Sequence, residues 1–232
     1  MRLYHSFLSS SSWRVRIVLA LKGVDYESTP VDFARGEHQT PEYLAVNAAR
    51  QVPTLEIPND AGQAPSAPGQ ATTRISQSVA ICEYLEERFP EPTLLPGDAA
   101  QRAHAREIVE LVNAGIQPLH NGGLNRSLRN GFGGSDAAIL AWKQYWLRAR
   151  LASLEQLVAA RAGTCAVGDA VTLADAFLYP QLERARGHQI DMTPFPTLCR
   201  VEDGLAQRRE FVQTAGPERA HASQVEKGSS GS

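Results

Sequence analysis

Four consecutive serines, Ser9, Ser10, Ser11 and Ser12, stand between a short strand-like stretch, Leu3 to Phe7, and a run of helical spacing that begins at Trp13. Hydroxyls at the start of a helix lie beside backbone N–H groups that lack an intrahelical acceptor and carry partial positive charge, so such a place suits an anion. A thiolate is one candidate, because helix N-termini depress thiol pKa values from about 8.5. The chain has three cysteines, Cys82, Cys165 and Cys199, and none falls in the serine turn. A thiol acting there must therefore arrive on a ligand. The plainer role for any single serine, Ser12 among them, is to cap the helix.

Two other places carry chemistry of the same kind. Val52-Pro53 opens a strand directly after Arg50-Gln51, where main-chain N–H and C=O groups can turn toward a peptide-like ligand if the bond is cis; X-Pro bonds are mostly trans, and a single sequence leaves the isomer open. Gln77-Ser78 begins the next helix and offers either a carboxylate site or ordinary capping. Arg14 and Arg16 read as isolated charges that snorkel or pair with carboxylates.

The elements that must position these residues follow from periodicity. After the first strand, Trp13, Val15, Ile17, Val18 and Leu21 define a helix that Gly23 stops. Asp25 to Asp32 suits a second strand, Pro41 to Val46 a short helix, and Val52 to Ile57 a third strand. Arg74-Ile75 then leads into a helix with the stripe Ile81, Cys82, Leu85 and Phe89. Strands interleaved with helices imply an α/β layer with at least one parallel pair. Beyond the proline-punctuated stretch Pro90 to Gly97 the character is all-helical. Ile108, Val109, Leu111, Val112, Ile116 and Leu119 form one apolar face; Ile139, Trp142, Trp146, Leu147, Leu151 and Leu154 form another. Asn121-Gly122-Gly123 and Asn130 to Gly134 are expected to bracket a mobile loop between them. Thr172 and Asp175 have the offset of a capping box.

The expected division is therefore 1–89, an α/β domain with an inserted loop at 58–73; 90–97, a linker; 98–213, an all-helical domain; and 214–232, a flexible tail ending Gly-Ser-Ser-Gly-Ser. The charge balance is even: 8 basic and 10 acidic residues lie up to Pro90, and 15 of each beyond it. That disfavours nucleic acid as a partner. No apolar run approaches the roughly 18 residues of a membrane span, and the N-terminus opens without a signal core, which points to a cytoplasmic protein. An odd number of scattered cysteines fits a reducing compartment and argues against a disulfide framework, a zinc knuckle or a redox dithiol, and no metal site is expected.

Taken together, Ser9 to Ile17, Gln51 to Leu55, Gln77-Ser78, Ile116 to Asn121, Gly168 to Asp175 and Asp191 to Pro196 resemble, in order and across roughly Met1 to Val212, the zeta class of glutathione S-transferases, which includes the maleylacetoacetate and maleylpyruvate isomerases. The resemblance implies a thioredoxin-like N-terminal domain that binds glutathione, a helical C-terminal domain that completes the substrate pocket, and a homodimer. By position, Ser9 would donate to the glutathione sulfur with Ser10 beside it, and Val52, before a cis Pro53, would pair with the cysteinyl main chain. Gln77 and Ser78 would hold the γ-glutamyl carboxylate, His38 and Gln51 the glycyl end, and Gln117 and Asn121 would reach the ligand from the helical domain. The implied activity is cis–trans isomerisation of maleylacetoacetate, a step of aromatic amino-acid breakdown, or of a related maleyl acid.

The chain departs from that family in the substrate half. Leu8-Ser9-Ser10-Ser11 stands where the isomerases usually read Arg-Ser-Ser-Cys, and Gly187 aligns with a pocket arginine, leaving Arg184 and Arg186 as neighbouring substitutes. Neither leucine nor glycine replaces a planar bidentate carboxylate contact. Ser11 remains compatible with isomerisation, since the nucleophile belongs to the ligand. Two alternatives follow: conjugation of glutathione to small electrophiles or halogenated acids, and a non-catalytic glutathione-fold binding module. A disulfide oxidoreductase is disfavoured by the missing cysteine.

Overall fold

The computed structural model describes residues 1–59 and 72–216. The described residues divide into two compact units, one within Met1–Pro92 together with 209–216, the other Thr93–Arg208. The first unit is built on a four-stranded sheet of β1 (Arg2–His5), β2 (Glu27–Pro30), β3 (Thr54–Pro58) and β4 (Thr72–Ser76), in the order β2-β1-β3-β4. Strands β1 and β2 are parallel, with Leu3 opposite Ser28, while β3 runs antiparallel to both β1 and β4, with Leu55 between Leu3 and Ile75.

Helix α1 (Ser10–Leu21) connects β1 to β2, the short α2 (Pro41–Val46) precedes β3, and α1 packs on α3 (Ser78–Arg88). Trp13, Val15, Ile17, Val18 and Leu19 are all buried, joined by Leu3, Leu55, Ile81, Cys82 and Leu85. Each such aliphatic side chain contributes about 1.5–3 kcal/mol on burial, so α1 is anchored on most of its circumference. Its C-terminal end is fastened by Lys22, whose ammonium reaches Glu86 of α3 at 2.5 Å and the Pro92 carbonyl at 2.7 Å. Gly23, at φ +62°, then turns the chain in the left-handed region, as expected of the residue ending this helix.

Several expectations need correction. Strand β2 occupies only the middle of Asp25 to Asp32. Pro58 closes β3, and Thr72 and Thr73 belong to β4, a strand not anticipated from the sequence. The rest of the expected inserted loop lies, from residue 60 to 71, outside the described residues. Thr214 is not tail: its hydroxyl accepts from Trp13 Nε1 at 3.0 Å and its carbonyl from Arg16 Nε at 2.9 Å. With α9 (Arg209–Val212), which packs on α1, it returns the chain to the first unit, so residues 209–213 belong there rather than with the helices before them. The remainder of the expected tail, from residue 217, lies outside the described residues.

The second unit contains α4 (Ala99–Glu110), a π-helical turn (Leu111–Ile116), a 3₁₀ turn (Gln117–His120), α5 (Gly122–Phe132), α6 (Asp136–Ala159), α7 (Leu173–Gly187) and α8 (Pro196–Leu205). Helix α4 packs on α7, and α8 on both α6 and α7. Ile108, Val112, Ile116, Leu147, Leu151, Leu154, Phe177, Leu178 and Leu182 form its core. The expected mobile loop is instead α5. Asn121 caps it by accepting the Leu124 N–H at 2.7 Å, and Gly133 at φ +67° ends it. Trp142 lies on the exposed side of α6 rather than in the core. The start of α7 is built as a capping box: the Asp175 carboxylate accepts from the Thr172 N–H (2.8 Å), the Thr172 hydroxyl (2.9 Å) and the Ala166 N–H (2.7 Å).

Candidate functional site

The serine turn is organised by its own hydroxyls. Ser9 is the N-cap of α1, its Oγ accepting the Ser12 N–H at 3.2 Å, and its own N–H donates to the Ser6 carbonyl at 3.2 Å. Ser12 turns back instead, accepting the Ser6 N–H at 3.3 Å. A hydroxyl has one proton and two acceptor positions, so capping leaves the Ser9 proton available to an outside acceptor. The capping and anion-binding roles of Ser9 are compatible. Ser10 is buried, Ser11 half-buried, and Leu8 is 51% exposed immediately before them.

Arg14 and Arg16, which carry little meaning in isolation, are both buried. Arg16 braces the turn from behind, with Nη1 donating to the Ser6 carbonyl at 3.2 Å and meeting His5 Nδ1 at 3.3 Å. His5 is thereby neutral, its pKa pushed down to about 4 by burial and by the Arg16 charge. Arg14 Nη1 donates to Ser78 Oγ at 3.3 Å and so connects α1 to the first residue of α3. Because the Ser78 oxygen accepts there, its proton is left to point elsewhere. The only warning in the sequence is that both arginines interrupt an otherwise apolar helix.

Gln77 precedes α3 at φ +73°, ψ +121°, a backbone region costing a non-glycine residue about 1–3 kcal/mol and met chiefly at functional sites. Its amide Nε2 donates to Gln51 Oε1 at 3.2 Å, so two predicted site residues meet directly. The Gln51 carbonyl is held by Tyr43 Oη at 2.6 Å and Asn47 Nδ2 at 2.9 Å. The Val52-Pro53 bond is cis. Among the described residues no hydrogen bond uses the Val52 N–H or C=O, which leaves both main-chain groups for a ligand. His38 sits on a separate 3₁₀ turn, Glu37–Gln39, with its ring edge-on to Phe33 at 4.4 Å and Nε2 3.2 Å from Gln39.

In the helical unit, Gln117 is half-buried on the 3₁₀ turn, and Asn121 spends its carbonyl on the α5 cap, keeping its NH₂ group. Arg186 is committed to Glu202, with Nε and Nη2 at 3.1 and 2.6 Å from the same oxygen. Arg184 has no such partner among the described residues. Gly187 would meet nothing within 4 Å if it bore a Cβ, so space does not demand a glycine there. Cys82 and Cys165 are buried with thiol pKa values pushed up by burial, which keeps them protonated and inert. Among the described residues no group of three or more His, Cys, Asp or Glu side chains is placed to hold a metal ion, and no helix is long and apolar enough to cross a membrane.

A β1-α1-β2 unit with a capped anion site at α1, a cis proline before β3 and a second N-terminus at α3, followed by an all-helical unit, defines the glutathione-transferase class of fold. Residues 8–88 match the family described as glutathione S-transferase, N-terminal domain. The chain is 41% identical to the maleylacetoacetate isomerase of Pseudomonas aeruginosa over 92% of this chain and 94% of that protein. Among solved structures, it is similar to the holo maleylpyruvate isomerase, a bacterial zeta-class glutathione S-transferase (TM-score 0.83, 36% identity, covering 94% of this chain and 99% of that one). It is also similar to the maleylacetoacetate isomerase of Anaeromyxobacter dehalogenans with bound dicarboxyethyl glutathione and citrate (TM-score 0.78, 43% identity, 94% of each chain). The chain belongs to the zeta-class glutathione S-transferase family, together with the maleylacetoacetate isomerases.

Proposed function

We propose that the protein is a glutathione-dependent cis–trans isomerase of a maleyl acid, with maleylacetoacetate as the foremost substrate and aromatic amino-acid breakdown as its setting. The observation that carries this reading is the Ser9 hydroxyl, fixed as the α1 cap with its proton unspent, in a chain whose relatives bear isomerase names. Glutathione, when bound, supplies the nucleophilic thiolate that this chain lacks at α1.

The residues of the first unit fit that ligand. Ser9 donates to the sulfur, and the N-terminus of α1 stabilises its negative charge, with Ser10 and Ser11 beside it. The unused N–H and C=O of Val52 pair with the ligand's main chain. Ser78, at the first turn of α3, and Gln77 hold the γ-glutamyl carboxylate, and the buried Arg14 guanidinium adds positive charge behind Ser78. Gln51 and His38 take the glycyl end, and Gln117 and Asn121 are assigned to the same ligand by the family resemblance. We assign the working form as a cytoplasmic homodimer, for which sedimentation should give about twice the 25.2 kDa chain mass.

Mixing the protein with glutathione and maleylacetoacetate or maleylpyruvate should convert the cis substrate faster than free thiol does; a rate equal to the non-enzymatic one overturns the isomerase reading. A second reading is conjugation of glutathione to small electrophiles or halogenated acids; the exposed Leu8 beside the serine turn favours the apolar ones among them. Turnover of chlorodinitrobenzene or dichloroacetate without maleyl isomerisation would select it.

A further inference from the structure

The segment Thr214–Gly216 returns to the start of α1 and holds it at three points. The Thr214 hydroxyl accepts from Trp13 Nε1 at 3.0 Å, and the Thr214 carbonyl from Arg16 Nε at 2.9 Å. Gly216 lies against Phe7; were it to bear a Cβ, that atom would fall 2.6 Å from Phe7 Cδ1. Phe7 and Leu8 lead directly into Ser9, and the Phe7 ring is itself fixed, edge-on to His5 with centroids 4.7 Å apart and 5.1 Å from the Arg16 guanidinium carbon. The segment stands on α9, because the Thr214 hydroxyl donates to the Glu210 carbonyl at 2.7 Å.

Arg16 passes this hold to the serine turn. Its Nη1 donates to the Ser6 carbonyl at 3.2 Å, and the same oxygen accepts the Ser9 N–H at 3.2 Å, so Thr214 and the Ser9 backbone are joined through one guanidinium and one carbonyl. A guanidinium only donates, so His5 Nδ1, 3.3 Å from Nη1, is the acceptor there and the His5 proton sits on Nε2, directed to Ser28 Oγ at 2.8 Å. The charge is felt at this turn: after burial, the larger cause, it helps to hold His5 at about 4. Packing alone would be met by an apolar side chain at this position, as it is by Val15, Ile17 and Val18, and a guanidinium only 2% exposed carries a desolvation cost that they do not. What an apolar side chain cannot do is span two carbonyls far apart in the sequence with a rigid, permanently charged fork.

We propose that Arg16 and the segment Thr214–Gly216 are positioning groups for Ser9: together they hold the Ser6–Ser9 turn so that the Ser9 hydroxyl is aimed at the sulfur of bound glutathione, and so they set the acidity of that thiol. The inference rests on the assignment of Ser9 as sulfur donor and is independent of which electrophile or acid is turned over. The Arg16 charge acts in the same direction as the positioning, since a buried cation favours an anion nearby.

The test uses the full chain with bound glutathione and reads the thiol pKa from thiolate ultraviolet absorbance against pH. Gly216→Ala drives a methyl group into Phe7 while leaving every residue of the serine turn unchanged. It should raise the thiol pKa by about 0.5–1 unit, roughly half the shift expected for loss of the Ser9 hydroxyl itself. Affinity for S-methylglutathione, which has no thiol proton, should be unmoved. Gly168→Ala imposes the same left-handed strain, at φ +68°, where a Cβ meets nothing within 4 Å; it should lower stability and leave the pKa alone. Arg16→Met should raise the pKa, and Arg16→Lys, which restores the charge without the planar fork, should recover only part of the loss. In a Ser9→Ala background Gly216→Ala should add no further shift. A wild-type pKa in Gly216→Ala or in Arg16→Met, where Ser9→Ala raises it, overturns the positioning role and spares Ser9. A shift from Gly216→Ala that is equally large without the Ser9 hydroxyl also overturns it. A pKa unmoved by Ser9→Ala overturns the Ser9 assignment and the positioning role together.

Discussion

Replacing Ser9 separates two jobs that one hydroxyl performs. Its Oγ accepts the Ser12 N–H at 3.2 Å, and its proton is available to the ligand sulfur. Ser9→Ala removes both. Loss of the cap costs about 1 kcal/mol of stability, and loss of a hydrogen bond to an ionised sulfur removes about 1.5–3 kcal/mol from the thiolate form. At about 1.4 kcal/mol per unit, the thiol pKa of bound glutathione should rise by about 1–2 units, cutting the thiolate fraction at neutral pH roughly tenfold or more. Ser9→Gly is the discriminating partner, because glycine caps a helix with a penalty of only a few tenths of a kcal/mol while lacking the hydroxyl. The two variants should thus share the pKa shift, measured from thiolate ultraviolet absorbance against pH, and differ in thermal stability. An unchanged thiol pKa in both would refute the assignment of Ser9 as sulfur donor. A pKa that follows stability rather than the hydroxyl would show that only the cap matters.

Other perturbations probe the surroundings. Arg14→Met removes the donor to Ser78 and the charge behind the α3 N-terminus; glutathione affinity by calorimetry should fall about tenfold with helicity retained, and an unchanged affinity contradicts the role given to Arg14. Thr214→Val leaves the buried Trp13 Nε1 without its acceptor and should cost about 1–3 kcal/mol in urea unfolding. His5, His120 and His188 are held at about 4, chiefly by burial, against an ordinary value of about 6.5. Between those values the unfolded chain binds protons that the folded chain refuses, so stability is lost as pH falls through that window. For His120 alone the loss is on the order of 3 kcal/mol, and His120→Gln should flatten the fall in urea midpoint between pH 7 and pH 4.5; a slope identical to wild type would contradict it.

Features written in a few adjacent residues were the legible ones. The α1 start and the Thr172 to Asp175 box each depend on side-chain hydrogen bonds spanning three residues, whereas Gln77 makes no side-chain cap and turns its amide to Gln51 instead. Strand β4 was not legible, since only Ile75 of Thr72 to Ser76 is a large apolar residue and its pairing is supplied by β3. Helix α5 was masked by Gly122, Gly123 and Gly131, which read as breakers until Asn121 is seen as a cap and Gly133 as the terminator. The burial of Arg14 and Arg16 depends on Ser78 and Thr214, partners 64 and 198 residues away, which no local pattern reports. In the candidate site, Ser9, Gln51 and Gln77 were placed by motif, whereas the unpaired state of Arg184 and the commitment of Arg186 to Glu202 emerge only from helix packing.

The central claim, a protein-supplied environment that makes glutathione isomerise a maleyl acid, is tested most directly by following cis substrate and trans product together with total glutathione. The account predicts stoichiometric conversion of maleylacetoacetate to its trans isomer, well above the free-thiol rate, with glutathione undiminished at the end. Consumption of glutathione in step with substrate, or conversion no faster than thiol alone, would contradict it.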